Sequence, residues 1–240
     1  MISVCMATYN GEAFIAKQLT SILDQLTNKD EVVIVDDKSN DNTVSIIKTL
    51  SKKYPTLTVV YQNQFNLGPI GSFQRAIELA KGDIIFLSDQ DDQWLPNKVS
   101  TTMKVFDEES ADLVVHDAVV IDGKGKVLAE SWNAYNHNKL STHILGNLIK
   151  NGYTGCMMAF KRTLAEAALP FPKELEMHDQ WLALVAIKTK RTISIINQPL
   201  MNYVRHGGNV TGIKKRKFSA MLVGRYTMLK AIIKYDKRRR

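Results

Sequence analysis

The sequence predicts an α/β fold: a mixed, mostly parallel central sheet flanked by helices. Three observations carry that prediction. Short apolar runs of strand type alternate with segments of helical period through the first 90 residues, in the order β-α-β-α-β-α-β. These runs are apolar almost throughout, with Ser3 and Thr58 the exceptions, as strands covered on both faces are. Later, a Gly123-Lys124-Gly125 turn between two runs signals a hairpin, and so an antiparallel contribution.

Taken in order, Ile2–Met6 is the first strand-type run. Residues 12–26 place Ile15, Leu19, Ile22 and Leu26 at helical spacing. Val32–Val35 is β-branched and ends at Asp36-Asp37. Asp41 caps a helix carrying Ile46, Ile47 and Leu50 on one face. Leu57–Tyr61 is strand-like, and Asn66-Leu67-Gly68-Pro69 is a loop by composition. Phe73, Ala76, Ile77 and Ala80 form a helical stripe closed by Gly82. Ile84–Leu87 is the fourth strand and runs straight into Ser88-Asp89-Gln90-Asp91-Asp92. In the second half Leu113–Val115, Val119–Ile121, Val127-Leu128, Met157–Phe160, Thr192–Ile196 and Leu200–Val204 read as strands. Residues 140–149 and a segment starting near His178 read as helices, with Pro170 and Pro172 breaking the chain before the latter. With no repeat and no low-complexity linker, residues 1–213 form one domain.

Composition narrows the function classes. The chain has 240 residues, 45% hydrophobic and 23% charged, which is ordinary globular composition and excludes a disordered or fibrous chain. No run of about 18 apolar residues exists for a transmembrane helix. The N-terminus shows no secretory pattern, and two cysteines, Cys5 and Cys156, make no disulfide framework. The expected compartment is the cytoplasm. Charge is uneven: residues 214–240 hold 11 Lys+Arg and one acid, while residues 1–213 hold 21 Lys+Arg against 23 Asp+Glu. Phe218, Met221, Leu222, Leu229, Ile232 and Ile233 fall on or near one helical face of this segment. It reads as a basic amphipathic helix that either lies on an anionic membrane surface or docks its apolar face on the domain. No nucleic-acid motif accompanies it, so no nucleic-acid partner is expected.

In parallel α/β sheets ligands bind beyond the carboxyl ends of the strands. Three polar clusters fall at such ends: Thr8-Tyr9-Asn10, Asp36-Asp37 and the acidic run after the fourth strand. Three carboxylates in four residues repel one another, and Mg2+ or Mn2+ would relieve them; a solvated acidic loop is the alternative. A carboxylate at Asp36-Asp37 can accept from a base or ribose, or make a turn. Tyr9 can stack on a base or pack.

These residues carry a resemblance. The series Val4-Cys5-Met6-Ala7-Thr8-Tyr9-Asn10, then Val35-Asp36-Asp37-Lys38-Ser39-Asn40-Asp41-Asn42-Thr43, then Asn66-Leu67-Gly68, then Gly82-Asp83 leading to Asp89-Gln90-Asp91-Asp92 with Pro96, resembles the family 2 glycosyltransferases over at least residues 1–100. The resemblance implies the GT-A fold and an inverting, metal-dependent transferase using a nucleotide-diphosphate sugar. Residues 1–100 would be the nucleotide-binding half and residues 101–213 the acceptor half. Ala7 and Tyr9 would line the base pocket, with Thr8 between them, and Asp37 would bind the base. Asp89 would face ribose or diphosphate and Asp91 would ligate Mn2+ or Mg2+, with Asp92 beside them. Arg75 approaches the nucleotide or is a solvated helix residue. Gly155-Cys156-Met157-Met158 looks like the acceptor-side lining. Met177-His178-Asp179-Gln180-Trp181 sits where relatives carry Glu-Asp, with His178 replacing Glu. Asp179 would be the general base, or an Asp satisfying a helix N-terminus, and the two readings are compatible. Trp181 contacts sugar or packs the core. Residues 203–212, Tyr-Val-Arg-His-Gly-Gly-Asn-Val-Thr-Gly, resemble the tail motif of rhamnosyltransferase-like members, with Arg205 and His206 at the diphosphate, although their adjacency shifts the register.

The expected activity is therefore transfer of a sugar, dTDP-rhamnose favoured as donor and a UDP-hexose the alternative. The acceptor is a saccharide or lipid-linked saccharide in cell-surface polysaccharide synthesis, and the enzyme would sit peripherally on the cytoplasmic face of the membrane. A non-catalytic nucleotide-sugar binding module is the other reading. The P-loop signature is absent, as is the Gly-rich basic loop of a nucleotidyltransferase.

Overall fold

Both faces of the first strand, β1 (Ile2–Thr8), are covered. Val4 and Met6 belong to one buried cluster, which includes Ile15, Leu19 and Ile22 of α1 (Ile15–Leu23) and Ile47 of α2 (Thr43–Ser51). Cys5 belongs to the other, with Phe73, Ala76 and Ile77 of α3 (Gly68–Leu79). The same split divides β2 (Glu31–Asp36): Val32 and Ile34 face one way, Val33 and Val35 the other. Strand side chains alternate faces, so a strand buried on both is apolar except where a polar residue is paired, as Ser3 is with Glu31 (2.7 Å). In the computed structural model, residues 1–54, 58–207 and 218–238 are described.

Among the described residues the sheet has nine strands. Along its main path the order is β3 (Thr58–Gln62), β2, β1, β4 (Ile84–Ser88), β8 (Met158–Lys161), β6 (Leu113–Asp122), β9 (Ile193–Arg205) and β5 (Gln93–Trp94). The remaining strand, β7 (Val127–Ala129), pairs with β6. β3, β2, β1 and β4 are parallel, as are β6 and β9. β8 runs antiparallel to both β4 and β6, joining the two halves. The Gly-Lys-Gly turn does form the β6–β7 hairpin.

Three local differences from the expected elements have physical causes. The runs 113–115 and 119–121 are one strand, because Asp117 interrupts the apolar pattern without ending the strand. Its carboxylate accepts from the Ala118 N–H (2.8 Å), the Asn133 N–H (3.1 Å) and the Ser131 hydroxyl. The matching interruption in β9 contains Pro199, set opposite Asp117 at a shift in register, which is how a strand tolerates proline. Gly68-Pro69 opens α3 rather than lying in a loop, since proline is pre-organised for a first helical turn.

The other helices are α4 (Lys98–Glu109), α5 (Trp132–Tyr135), α6 (Ile144–Ile149), α7 (Arg162–Ala168), α8 (His178–Lys188) and α9 (Phe218–Arg238). Helix α6 begins four residues later than the expected start at 140. Helix α4 escapes a periodicity reading because polar Lys98 and Thr102 fill buried positions on it. Met228, Ile232 and Tyr235 of α9 are buried in the cluster that holds Trp181 and Leu184 of α8, and Lys230 pairs with Glu174 at 3.5 Å. Residues 208–217, with the end of the tail motif and the Lys-Lys-Arg-Lys run, lie outside the described residues. Among the described residues, no helix is long and apolar enough to cross a membrane.

Candidate active site

At the carboxyl ends of β1 and β2, the two neighbouring aspartates have different surroundings. Asp36 accepts from Thr8 Oγ1 (3.1 Å), the Ser39 N–H (2.9 Å) and Gln62 Nε2 (3.1 Å), so it ties three strand ends together. Asp37 is buried as well, but only Oδ1 is engaged, by Asn63 Nδ2 (2.8 Å) and the Leu67 N–H (2.8 Å). Its Oδ2 has no partner among the described residues and is available to a ligand. Arg75 donates to Asn63 Oδ1 and lies 5.8 Å from the Tyr61 ring centroid. It thus reaches Asp37 only through Asn63. Ala7 packs on the core, Thr8 is buried, and Tyr9 is 46% exposed at the rim.

Tyr9 is fixed to the acidic loop by Gln90. The Tyr9 N–H donates to Gln90 Oε1 (2.9 Å), and Gln90 Nε2 donates to the Tyr9 carbonyl (3.0 Å). A Cβ at residue 11 would overlap Gln90, so Gly11 is required for this clamp. Gln18 supports the same loop from α1, donating to Ser88 Oγ (2.7 Å) and to the Asp89 carbonyl (3.0 Å).

The three loop carboxylates divide. Asp89 is partly buried, and burial together with the charge of Asp91 raises its carboxyl to about 7. The charge of Asp179 adds to that rise, which places the loop and the start of α8 in one field. Asp91 meets His206 just beyond β9: Oδ2 and Nε2 are 2.6 Å apart, and the imidazole stacks on Phe14 at 4.4 Å. Asp92 is buried. Its Oδ1 accepts from the Val204 N–H (3.3 Å), and Oδ2 is buried without a partner. Burial and the charges of Asp89 and Asp91 hold Asp92 well above the usual carboxylate range. Beneath it lies a lysine the sequence does not single out. Lys98 is fully buried, donates to the Cys156 carbonyl at 2.8 Å and stands 4.1 Å from the Trp94 ring centroid. Burial depresses it to about 7, against the pull of Asp92 and Asp89. Ligand atoms of Asp89, Asp92 and Cys156 all lie within 4.8 Å of one another; Asp91 is turned to His206 instead. Arg205 ends β9 opposite Asp122.

The opposite wall is the start of α8. Asp179 lies in its first turn and is buried, and burial raises its carboxyl to about 6. Its Oδ1 accepts from Asn151 Nδ2 (3.2 Å) and the Gln180 N–H. The neighbouring Gly155 backbone lowers the carboxyl against that burial. His178 stacks on Phe73 at 4.4 Å, and burial lowers it to about 4, so it is neutral at pH 7. A Cβ at Gly155 would lie 2.9 Å from His178 Nε2. Gly155→Ala is therefore expected to displace His178 and Asp179 and to cost about 1–3 kcal/mol as overpacking, measured as a lowered melting temperature. Trp181 is not in the cleft. It is buried, donates to the Ala168 carbonyl (2.9 Å) and meets Tyr235 of α9 edge-on, so of its two readings the core one holds and it is not a site neighbour.

The Glycosyl transferase family 2 profile matches residues 3–168 of the chain. This chain belongs to that family. One similar protein is the dTDP-rhamnosyl transferase RfbG of Shigella flexneri, 26% identical over 86% of this chain and 73% of RfbG. Among solved structures, S. aureus TarS 1-349 in complex with UDP-GlcNAc superposes with a TM-score of 0.71 at 22% identity, covering 98% of this chain and 66% of TarS 1-349. The mannosyltransferase PcManGT of Pyrobaculum calidifontis, in complex with GDP-Man and Mn2+, gives 0.62 at 21% identity over 99% of this chain and 64% of PcManGT. These neighbours show the GT-A fold for this family 2 chain. It spans about two thirds of the length of several relatives it matches.

Proposed function

We propose that the chain is an inverting glycosyltransferase that moves a sugar from a nucleotide-diphosphate donor to a saccharide hydroxyl. The observation that carries this reading is the juxtaposition across one rim: Tyr9 clamped to the Asp89–Asp92 loop, His206 closing on Asp91, and a buried Asp179 whose charge reaches Asp89. Tyr9, with Ala7 beside it, stacks the base, and the open oxygen of Asp37 accepts from a base N–H. Thr8 and Arg75 position this pocket through Asp36 and Asn63. Asp89 faces the ribose or diphosphate, and Asp92 and Gly155 shape the floor. Arg205 and His206 lie where the leaving diphosphate gathers charge, and charge-assisted hydrogen bonds there are the strong kind.

The donor set fits Mg2+ or Mn2+. The Asp89 and Asp92 carboxylates supply hard oxygen ligands, one of them, on Asp92, buried without a partner, while the Cys156 thiol of the same cluster is a soft ligand that Mg2+ and Mn2+ do not require. Asp91, with His206 against it, is the residue proposed to hold the ion, and Asp89 stands next to it. When bound, the ion neutralises the departing diphosphate as a Lewis acid. Asp179 takes the acceptor proton, and a single displacement by the acceptor oxygen inverts the anomeric carbon. His178, neutral and stacked, fixes the start of α8 and is not a proton donor at pH 7.

Asp91→Ala is expected to abolish the response of donor binding to Mn2+; calorimetric titration of a nucleotide diphosphate with and without Mn2+ checks it, and unchanged titrations would remove Asp91 as a ligand. The donor proposed is dTDP-rhamnose, supported by the RfbG likeness over most of this chain. A UDP-hexose is the second reading, supported by the likeness to the Escherichia coli UDP-Glc:alpha-D-GlcNAc-diphosphoundecaprenol beta-1,3-glucosyltransferase WfgD. Hydrolysis of a panel of dTDP-, UDP- and GDP-sugars decides between them. The acceptor class proposed includes lipid-linked saccharides, met peripherally at the cytoplasmic face of a membrane.

A further inference from the structure

Helix α9 has two apolar faces, and the domain covers only one. Met228, Ile232 and Tyr235 are buried against the domain, and Gly224 lies so close to the Glu176 carboxylate that a Cβ would overlap it. Leu222, Tyr226, Leu229 and Ile233 recur at i, i+4, i+7 and i+11, a second helical stripe turned away from the first. All four are exposed, Tyr226 at 67% and Ile233 at 60%. Arg225, Lys230 and Lys234 lie on the same helix. The segment 214–240 carries 11 Lys+Arg and one acid.

We propose that this outward stripe is a docking surface for an anionic lipid bilayer. A monomeric soluble protein rarely leaves a contiguous apolar stripe uncovered. The charge around it selects the occupant. A second copy would bring one strongly basic segment against another, and like-charge juxtaposition costs several kcal/mol. Anionic headgroups instead contribute about 1 kcal/mol per Lys or Arg near the surface, while the aliphatic and tyrosine side chains enter the interface. The docked end of the helix fixes the orientation: Gly224 touches Glu176, three residues before Asp179. The acceptor wall of the cleft then lies beside the lipid surface, which deepens the proposed function by assigning a lipid-linked acceptor, and rests on that reading only for this last step.

The test uses the full 240-residue chain and sedimentation with phosphatidylcholine vesicles, with and without phosphatidylglycerol. Wild type is expected to bind the anionic vesicles at least about tenfold more tightly. The triple variant Leu222→Ser, Tyr226→Ser, Ile233→Ser is expected to lose about tenfold or more of that affinity, with donor hydrolysis in solution and melting temperature unchanged, since all three side chains are exposed. Equal vesicle binding by the triple variant overturns the proposal, because charge alone would then suffice. So does a wild-type dimer that the triple variant dissolves, which would make the stripe a contact between copies. Loss of donor hydrolysis in wild type, with vesicle binding intact, would sink the transferase reading and leave the docking surface standing.

Discussion

Asp179→Asn is expected to lower the rate of sugar transfer by about 10²–10⁴-fold while leaving nucleotide binding in place. Asparagine keeps the size of the side chain and an oxygen for Asn151 Nδ2 and the Gln180 N–H. It loses the capacity to take a proton from the acceptor hydroxyl. The pH profile gives a second, sharper readout. Burial raises Asp179 to about 6, so its base form is depleted below that pH, and wild-type kcat/KM should fall tenfold per unit there. That limb should disappear from the residual activity of the variant. Unfolding cannot mimic this result. A carboxyl raised in the folded state contributes stability below its unfolded value that is lost as pH rises through about 6. Removing the ionisation removes that loss, so the variant should melt no lower than wild type at pH 7. Wild-type turnover in Asp179→Asn would assign the buried aspartate to the helix N-terminus alone.

The first half of the fold was legible because β1, β2 and β4 are buried on both faces and the helices between them on one, and those periods differ. The rim was legible for the same reason: where an apolar strand stops, the next residues project beyond the sheet. Division of labour within each acidic cluster was not legible. Asp36 and Asp37 are adjacent and identical, yet one is spent on strand ends and the other keeps an open oxygen. Only the positions of Ser39, Gln62 and Asn63 decide that, and all three are set by tertiary contacts. Similarly, Arg205 and His206 compete for the diphosphate in the sequence, whereas the end of β9 brings His206 to Asp91. For Trp181, helix arithmetic decides between the two roles that the sequence leaves open. Two residues advance a helix by about 200°, so Trp181 points away from the cleft that Asp179 faces.

Lys98→Met should produce the largest loss of stability among these variants and should take donor binding with it. A lysine two residues after Pro96 reads as a solvated helix start, yet here the ammonium is fully buried below Asp92 and Asp89. Methionine reproduces the stem and deletes the charge. The Cys156 carbonyl then loses its 2.8 Å donor, and the Asp92 carboxylate loses the cation that offsets its burial. Deleting a buried charged donor and leaving its acceptor unpaired costs about 3 kcal/mol, at the upper end of the overpacking expected for Gly155→Ala. Asp92, already held well above the usual carboxylate range, would be raised further without the nearby cation, which weakens its grip on the Val204 N–H at the end of β9. Arg205 and His206 follow Val204 directly, so disorder at that contact reaches the residues proposed for the diphosphate. The pairing is tested by adding Asp92→Asn. If Lys98 serves as counter-charge to Asp92, the double variant recovers most of the stability lost by Lys98→Met, because neither charge remains to be compensated. Strictly additive losses in melting temperature would show that the two groups do not sense one another. Recovery of stability without recovery of nucleotide binding would separate the electrostatic role of the lysine from its mechanical one, since the amide at position 92 would remove the charge without restoring the geometry at the end of β9.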